Sequence, residues 1–435
     1  MKRIEFSEPI SVSGTNAKFS PLGKYLAFVY ANKICVLKSD SLQTLTILTT
    51  IDQVKHFEWS PDSQLILAVM PGRNKLQAFD ITDNKWTCSI DAGGLGIEWA
   101  TFSPDSRHII YANEFHLMLS VISLIDKSVR TIEWPKNPAE NLKFTPCGSL
   151  MIIGIGERKN TKHQDAISVV RLCDWKLDAH FETATQDFKS IQLDLTGGAI
   201  ALSDPLPESR VTVYSINGQK YATVDSGVHS ICRFSPTSQF LAIENTFKID
   251  ILNTITWSKI AACSAEANPA EIVYEETTNG FSISRKLFDT YIADEEAPNF
   301  TQTKFSATNR YISTVQGQCV LIFSVEYMQT VVGIYFKEKV KAIEWSPIDN
   351  RLSIGTNNGN LYLWTPGGTM LVKVPHHGIS TKKLMWNQTG ESCIIYSKDK
   401  CSIAFFDGEE KENTGKDKAT SEPLGKANLN IINRA

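Results

Sequence analysis

Between Val340 and Val374, apolar and polar positions fall into short blocks that spell four strands and the turns between them. Val340 to Trp345 reads as a first strand. Ser346-Pro347-Ile348-Asp349-Asn350 is a turn, because proline fixes φ and Asp and Asn accept local backbone hydrogen bonds. Leu352, Ser353 and Ile354 begin a second strand. Asn357-Asn358-Gly359-Asn360 carries the Asn-Gly pair that suits a two-residue hairpin with positive φ. Leu361-Tyr362-Leu363-Trp364 is a third strand, apolar on both faces, as expected when neighbours cover it on both sides. Thr365-Pro366-Gly367-Gly368 turns the chain again, and Met370 to Val374 is the outer strand.

The opening of this block recurs along the whole chain. Its copies begin at Phe19, Trp59, Phe102, Phe144, Leu193, Phe234, Phe305, Trp345 and Trp386, most followed by Ser-Pro or a close variant. All successive spacings lie at 40–49 residues except the one from Phe234 to Phe305. Such a period is that of a four-stranded blade of the WD-repeat propeller type. The expected fold is therefore all-β: a WD-repeat β-propeller, a single ring of about nine degenerate four-stranded blades, closed by the N-terminal strand pairing into the last blade. The Gly-His and Trp-Asp dipeptides that name the repeat are nearly absent. Phe79-Asp80, Tyr214-Ser215, Leu252-Asn253 and Trp364-Thr365 stand where Trp-Asp would end the third strand. Packing and turn chemistry must then hold the blades in place of a buried polar network.

Two segments break the period. Residues 263–300 hold Glu266, Glu271, Glu275, Glu276, Asp289, Asp294, Glu295 and Glu296 against only Arg285 and Lys286. Ile272-Val273-Tyr274 and Phe281-Ser282-Ile283 in this acidic insertion have the pattern of strands. Residues 407–435 are polar, with no aromatic after Phe406, and read as a disordered tail. The propeller is assigned to residues 1–406.

Charge adds little beyond exclusions. Lys and Arg total 44 against 47 Asp and Glu, which excludes a generally basic nucleic-acid coat. No basic run exceeds two or three residues, so nucleic acid is not an expected partner. No window approaches the roughly 18 apolar residues of a membrane helix, and the N-terminus lacks the apolar stretch of a secretory signal. Nine widely spaced cysteines without a Cys-x-x-Cys pair fit neither a disulfide scaffold nor structural zinc, and point to a reducing compartment such as the cytosol.

Catalytic constellations are missing as well. There is no Gly-x-Ser-x-Gly, His-Glu-x-x-His or Walker loop. Gly154-Ile155-Gly156 reads as a turn at a strand end, and Gly93-Gly94-Leu95-Gly96 as a connecting loop. His376-His377 lacks companion ligands, since adjacent side chains on an extended segment point apart. No enzyme, cofactor, metal or small-molecule substrate is expected. Core packing accounts for most of the nine tryptophans; Trp134 and Trp175 lie nearer strand ends, where they can anchor a partner.

Several phrases outside the repeat consensus carry a family resemblance. They are Asp52-Gln53-Val54-Lys55-His56-Phe57-Glu58-Trp59-Ser60, Glu114-Phe115-His116-Leu117, Cys173-Asp174-Trp175 with His180 to Asp187, Ile251-Leu252-Asn253 with Thr256-Trp257, and Leu361 to Gly368 followed by Val374-Pro375. In register over residues 15–405, they resemble the WRAP-type WD-repeat proteins of centrosomes and spindle poles. The resemblance implies a non-enzymatic scaffold at the microtubule-organising centre, whether centrosome or spindle pole body. It would anchor microtubule minus ends together with a coiled-coil spindle-pole anchoring protein and, in fungi, a minus-end-directed kinesin. The fifth repeat departs from the pattern, with Leu193 in place of an inner-strand Trp, and the insertion is shorter than in some relatives. Candidate partner-binding residues are Glu114, Phe115, His116, Thr185, Gln186 and Asp187, whose phrases the repeat does not require. Glu275, Glu276, Asp294, Glu295 and Glu296 of the acidic insertion join them on grounds of charge. The alternative is a WD-propeller translation initiation factor on the small ribosomal subunit, which would carry a basic helix-forming C-terminal extension; residues 407–435 are not basic.

Overall fold

The computed structural model describes residues 4–406 except 15, 84, 160–161, 186, 205–208, 227–230, 246–247, 265–269, 279, 285–299 and 377. Nine antiparallel-built sheets follow one another along the chain, as the period requires. Most consist of four strands paired in chain order. In the first sheet these are Ala17–Phe19, Tyr25–Tyr30, Lys33–Lys38 and Thr44–Thr49. The eighth follows the predicted boundaries closely, with strands Val340–Trp345, Leu352–Thr356, Asn360–Thr365 and Gly368–Lys373. In the ninth sheet the chain's own N-terminus supplies the outer strand: Ile4 pairs with Phe406 and Phe6 with Ala404, and Ile10–Ser11 adds to the same strand. The first, eighth and ninth sheets build one compact unit and the third to seventh another, with the second contributing to both.

Within each unit, apolar clusters join successive sheets. Phe28 and Cys35 meet Tyr396 and Ile403 in the first unit. Ile110 and Val121 meet Met151 and Ile153 in the second, where Ile249 and Ile251 also meet Ile312 and Leu321. Middle strands are thus covered on both faces. All six residues of Ala199–Asp204 and of Cys319–Ser324 are buried, which explains the lost alternation.

The turn that follows each copy's first strand explains the repeated phrase. At the fourth residue after the opening aromatic, Gly23, Ser63, Ser106, Gly148, Gly197, Ser238, Asn309 and Gly390 all have φ between +56° and +74°. This is the left-handed residue that ends the turn inside a four-residue connection, as between Ser20 and Tyr25, where the Gly23 N–H bonds the Ser20 carbonyl. One residue after the opening aromatic, Ser20, Ser60, Ser103, Ser235 and Ser306 are buried. Each hydroxyl accepts the backbone N–H five residues on, at 2.8–3.2 Å. Thr145 and Asp194 do the same in the weaker copies.

The strands expected in the acidic insertion form. Ile272–Thr277 and Gly280–Ser284 extend the seventh sheet to six strands, with Ile272–Thr277 parallel to Gln329–Tyr335. One expectation is corrected. Gly154-Ile155-Gly156 is no turn but lies inside the strand Leu150–Lys159. A Cβ on Gly154 would stand 2.7 Å from the Phe188 ring, so the glycine permits close packing rather than a bend.

Seven cysteines sit on strands, and burial pushes the thiols of Cys232, Cys319, Cys393 and Cys401 up to about 12. Cys147 is the opposite case. It lies exposed in a turn, where Ser149 at 2.9 Å and then Thr145 at 3.3 Å draw its pKa down to about 7. Because a lowered pKa populates the thiolate as pH rises through 7, iodoacetamide at pH 7 should alkylate Cys147 ahead of every buried cysteine in the native protein. Peptide mapping that finds Cys232 or Cys393 labelled first would contradict this.

Candidate functional site

Two of the phrases that the repeat does not require converge in the second unit, although about 70 residues of sequence separate them. Asn113 to Leu117 link the strands His108–Ala112 and Met118–Ser123. The Asn113 carboxamide oxygen accepts the Leu117 N–H at 3.0 Å, fixing a turn in which His116 adopts φ +51°. His116 Nε2 pairs with the Glu98 carboxylate. Glu114 lies over Gly96, whose φ of +73° favours glycine; a Cβ there would come within 2.6 Å of the Glu114 carboxyl carbon and push that side chain aside. Phe115 stands 67% exposed.

The Leu117 carbonyl accepts the N–H of Trp134, and the Trp134 carbonyl accepts that of Gly156, both at 3.0 Å. Trp134 is thereby held at φ +55° with its ring 55% exposed. Two residues on, Lys136 donates its backbone N–H to Gly154 at 2.8 Å and turns its side chain inward. Its ammonium lies 2.6 Å from Asp165 Oδ1, 2.8 Å from Asp187 Oδ1 and 4.6 Å from the centre of the Phe188 ring. Asp165 is buried on the strand Lys162–Arg171, and its other oxygen accepts the Phe188 N–H at 2.8 Å and the Thr185 hydroxyl at 3.2 Å. Thr185 and Thr183 hydroxyls lie 2.6 Å apart. The resulting cleft of about 450 Å³ is lined by His116, Trp134, Lys136, Gln164, Asp165 and Asp187 among others.

The sequence-predicted residues therefore divide. His116 and Asp187 line the cleft, while Glu114 lies over Gly96 and Phe115 is exposed on the loop next to His116. Thr185 is buried beneath it and positions Asp165 rather than facing solvent. Gln186 lies outside the described residues. Lys136 and Asp165, which bind the two phrases together, were not among the candidates. The available signal was Asp165 itself, a carboxylate at the head of the apolar run Ala166 to Val170. Trp134 is on the surface as expected. Trp175 packs its ring 4.9 Å from His108 and against the core of the third and fourth sheets.

Of the acidic insertion, Glu275 and Glu276 are half-buried on the strand Ile272–Thr277, and the Glu276 carboxylate accepts the Lys337 N–H at 2.8 Å. Asp294, Glu295 and Glu296 lie outside the described residues. His376 Nε2 donates to the Ser7 carbonyl at 2.9 Å; His377 is outside the described residues. Among the described residues no cluster of three His, Cys, Asp or Glu could hold a metal ion, and no helix is long and apolar enough to cross a membrane.

No protein-family model matches the sequence. WD repeat-containing protein WRAP73 of Mus musculus is 30% identical over 456 residues, spanning 94% of this chain and 98% of the mouse protein. Among solved structures, a eukaryotic initiation factor superposes with TM-score 0.61 at 14% identity, covering 85% of this chain and 90% of the other. The C-terminal WD40 domain of Sif2 gives 0.53 at 11% identity, covering 94% and 99%. At such identities the structural likeness shows the fold alone: a β-propeller, here with nine blade sheets.

Proposed function

The chain belongs to the family of WD repeat-containing protein WRAP73, and on that footing we propose that it is a non-enzymatic adaptor at the microtubule-organising centre. It docks a coiled-coil anchoring protein at the centrosome or spindle pole body and so tethers microtubule minus ends, with a minus-end-directed kinesin as a further partner. The chain-long identity to WRAP73 carries this reading. A repeat of sheets that spends its recurring polar groups on turns, with His116 and Asp187 from outside the repeat pattern lining one cleft, supports a binding platform.

Live imaging of the tagged protein through mitosis tests the proposal. Discrete spots at the spindle poles are expected, and deletion of the gene should release minus ends from the poles. Pole anchoring that survives deletion, or co-sedimentation of the protein with polysomes, would sink the adaptor and favour an initiation factor instead.

A further inference from the structure

We propose that the cleft lined by Trp134 and Asp187, beside the loop that carries Phe115, is the docking site for a partner protein segment that seats bulky aliphatic side chains on the exposed rings and aims a lysine or arginine at Asp187. The inference rests on the adaptor reading only in requiring a protein partner.

The apolar half of the site is the rim. Phe115 and Trp134 are 67% and 55% exposed, and Leu95, Leu117 and Met118 on the same loops are exposed too. Single exposed hydrophobes are ordinary, but here the backbone segments that carry them are tied to one another. Leu117 and Trp134 are joined by a backbone hydrogen bond, and Glu114 N–H reaches the Leu95 carbonyl at 3.3 Å. Trp134 holds φ +55° without burying its ring. A bulky residue in that conformation is strained, and the backbone bonds to Leu117 and Gly156 hold it there with the side chain presented outward.

The polar half is the surplus of negative charge. Among the described residues, Lys136 is the one ammonium lining the cleft, and it faces two carboxylates, one buried on Asp165 and one largely exposed on Asp187. Glu98, Glu114 and Glu133 are exposed on the flanking loops. An incoming cation therefore meets Asp187 already oriented, with Asp165 keeping Lys136 from neutralising it fully. Exposed aromatics beside a lysine also stack nucleic-acid bases, and the hairpin beyond Gly156 carries Arg158, Lys159 and Lys162 in its sequence. The carboxylates around the rings oppose a phosphate backbone, and they decide for a cationic peptide.

Fluorescence anisotropy with the full chain tests this. The probes are labelled amphipathic peptides of about 16 residues, roughly 24 Å of helix: a Leu/Lys peptide, a Leu/Glu peptide and a Ser/Lys peptide, with a single-stranded RNA of similar length. The Leu/Lys peptide should bind best. Asp187→Lys should weaken it about tenfold while strengthening the Leu/Glu peptide, the pattern of a local charge swap. Phe115→Ala with Trp134→Asn should weaken it at least as much; asparagine tolerates the left-handed backbone. Phe115 and Trp134 are exposed, so the aromatic variant should melt like wild type, whereas Asp187→Lys, which gives up the pair with Lys136, should melt slightly lower but stay folded. The proposal is overturned if Leu/Lys fails to bind, if Ser/Lys binds as tightly, if Asp187→Lys leaves binding unchanged, or if RNA is the probe that the aromatic variants lose. Each failure is separable from that of the adaptor reading, because spindle-pole localisation of the tagged wild-type chain is scored independently.

Discussion

Trp386→Ala is expected to lower stability by about 3–5 kcal/mol, the range for truncating a large buried aromatic. Trp386 is 7% exposed and opens the last copy of the repeat. Its ring stacks on Phe406 with centroids 4.7 Å apart, and the Arg351 guanidinium lies 5.2 Å from each ring. The indole N–H donates to the Ser353 hydroxyl at 2.9 Å and approaches the Glu344 carbonyl at 3.2 Å. Alanine would leave a void between the eighth and ninth sheets, with Phe406 on the strand that the N-terminus also pairs with. Against a total stability of roughly 5–15 kcal/mol that is a large share. Trp386→Phe should recover most of the stacking and cost about 1–2 kcal/mol for the lost hydrogen bond and volume. Urea denaturation compares the three proteins. A Trp386→Ala midpoint equal to wild type would show that the repeat register, which places Trp59, Trp345 and Trp386 at equivalent buried positions, is wrong.

That register was legible because it is local chemistry repeated. Each copy has an apolar first strand, a turn formed by Ser-Pro or a variant of it, in eight of the nine copies with a left-handed residue, and a second strand. Gly23, Gly148, Gly197 and Gly390 announce the left-handed position in the sequence, whereas Ser63, Ser106 and Ser238 occupy it without any glycine to mark it. The serine hydroxyls that lock these turns were hidden in plain view, since a serine in a turn looks the same whether it faces solvent or the core. Asn357-Asn358-Gly359-Asn360 did mark its hairpin, but as a three-residue connection between Thr356 and Asn360 in which Gly359 alone has positive φ, +78°, rather than the two-residue turn expected. Gly154 misled for the reason Gly23 succeeded. Glycine signals either positive φ or close approach, and only the Phe188 ring, which arrives from 34 residues away, distinguishes them. The cleft was half legible. Phe115 and Asp187 stood out as residues that the repeat does not use, but their convergence depends on pairing between sheets, which periodicity does not encode.

Asp165→Ala is the second large effect, and it separates the floor of the cleft from its rim. The Asp165 carboxylate is almost wholly buried, 4% exposed, and satisfies three groups at once: the Lys136 ammonium, the Phe188 N–H and the Thr185 hydroxyl. Removing one partner of a buried ion pair costs about 3–5 kcal/mol, because the remaining charge and donors stay behind without compensation. Here Lys136 keeps Asp187 at 2.8 Å, which places the expected loss toward the lower end, about 3 kcal/mol. Asp187→Ala removes a carboxylate that is 71% exposed and should cost no more than about 1 kcal/mol. The double variant Asp165→Ala with Lys136→Met should recover part of the loss, since it withdraws the stranded charge and leaves an apolar side chain over Phe188. Thermal or urea melts of wild type, Asp165→Ala, Lys136→Met and the double variant form a cycle whose coupling energy reads the pair directly, with Asp187→Ala as a fifth protein beside it. If Asp165→Ala and Asp187→Ala melt alike, the ion pair contributes nothing to the fold, and the loops bearing Trp134 and Asp187 are held by their backbone hydrogen bonds alone. If the loss at Asp165 is large, the same charge that orients Lys136 is what leaves Asp187 available at the mouth of the cleft.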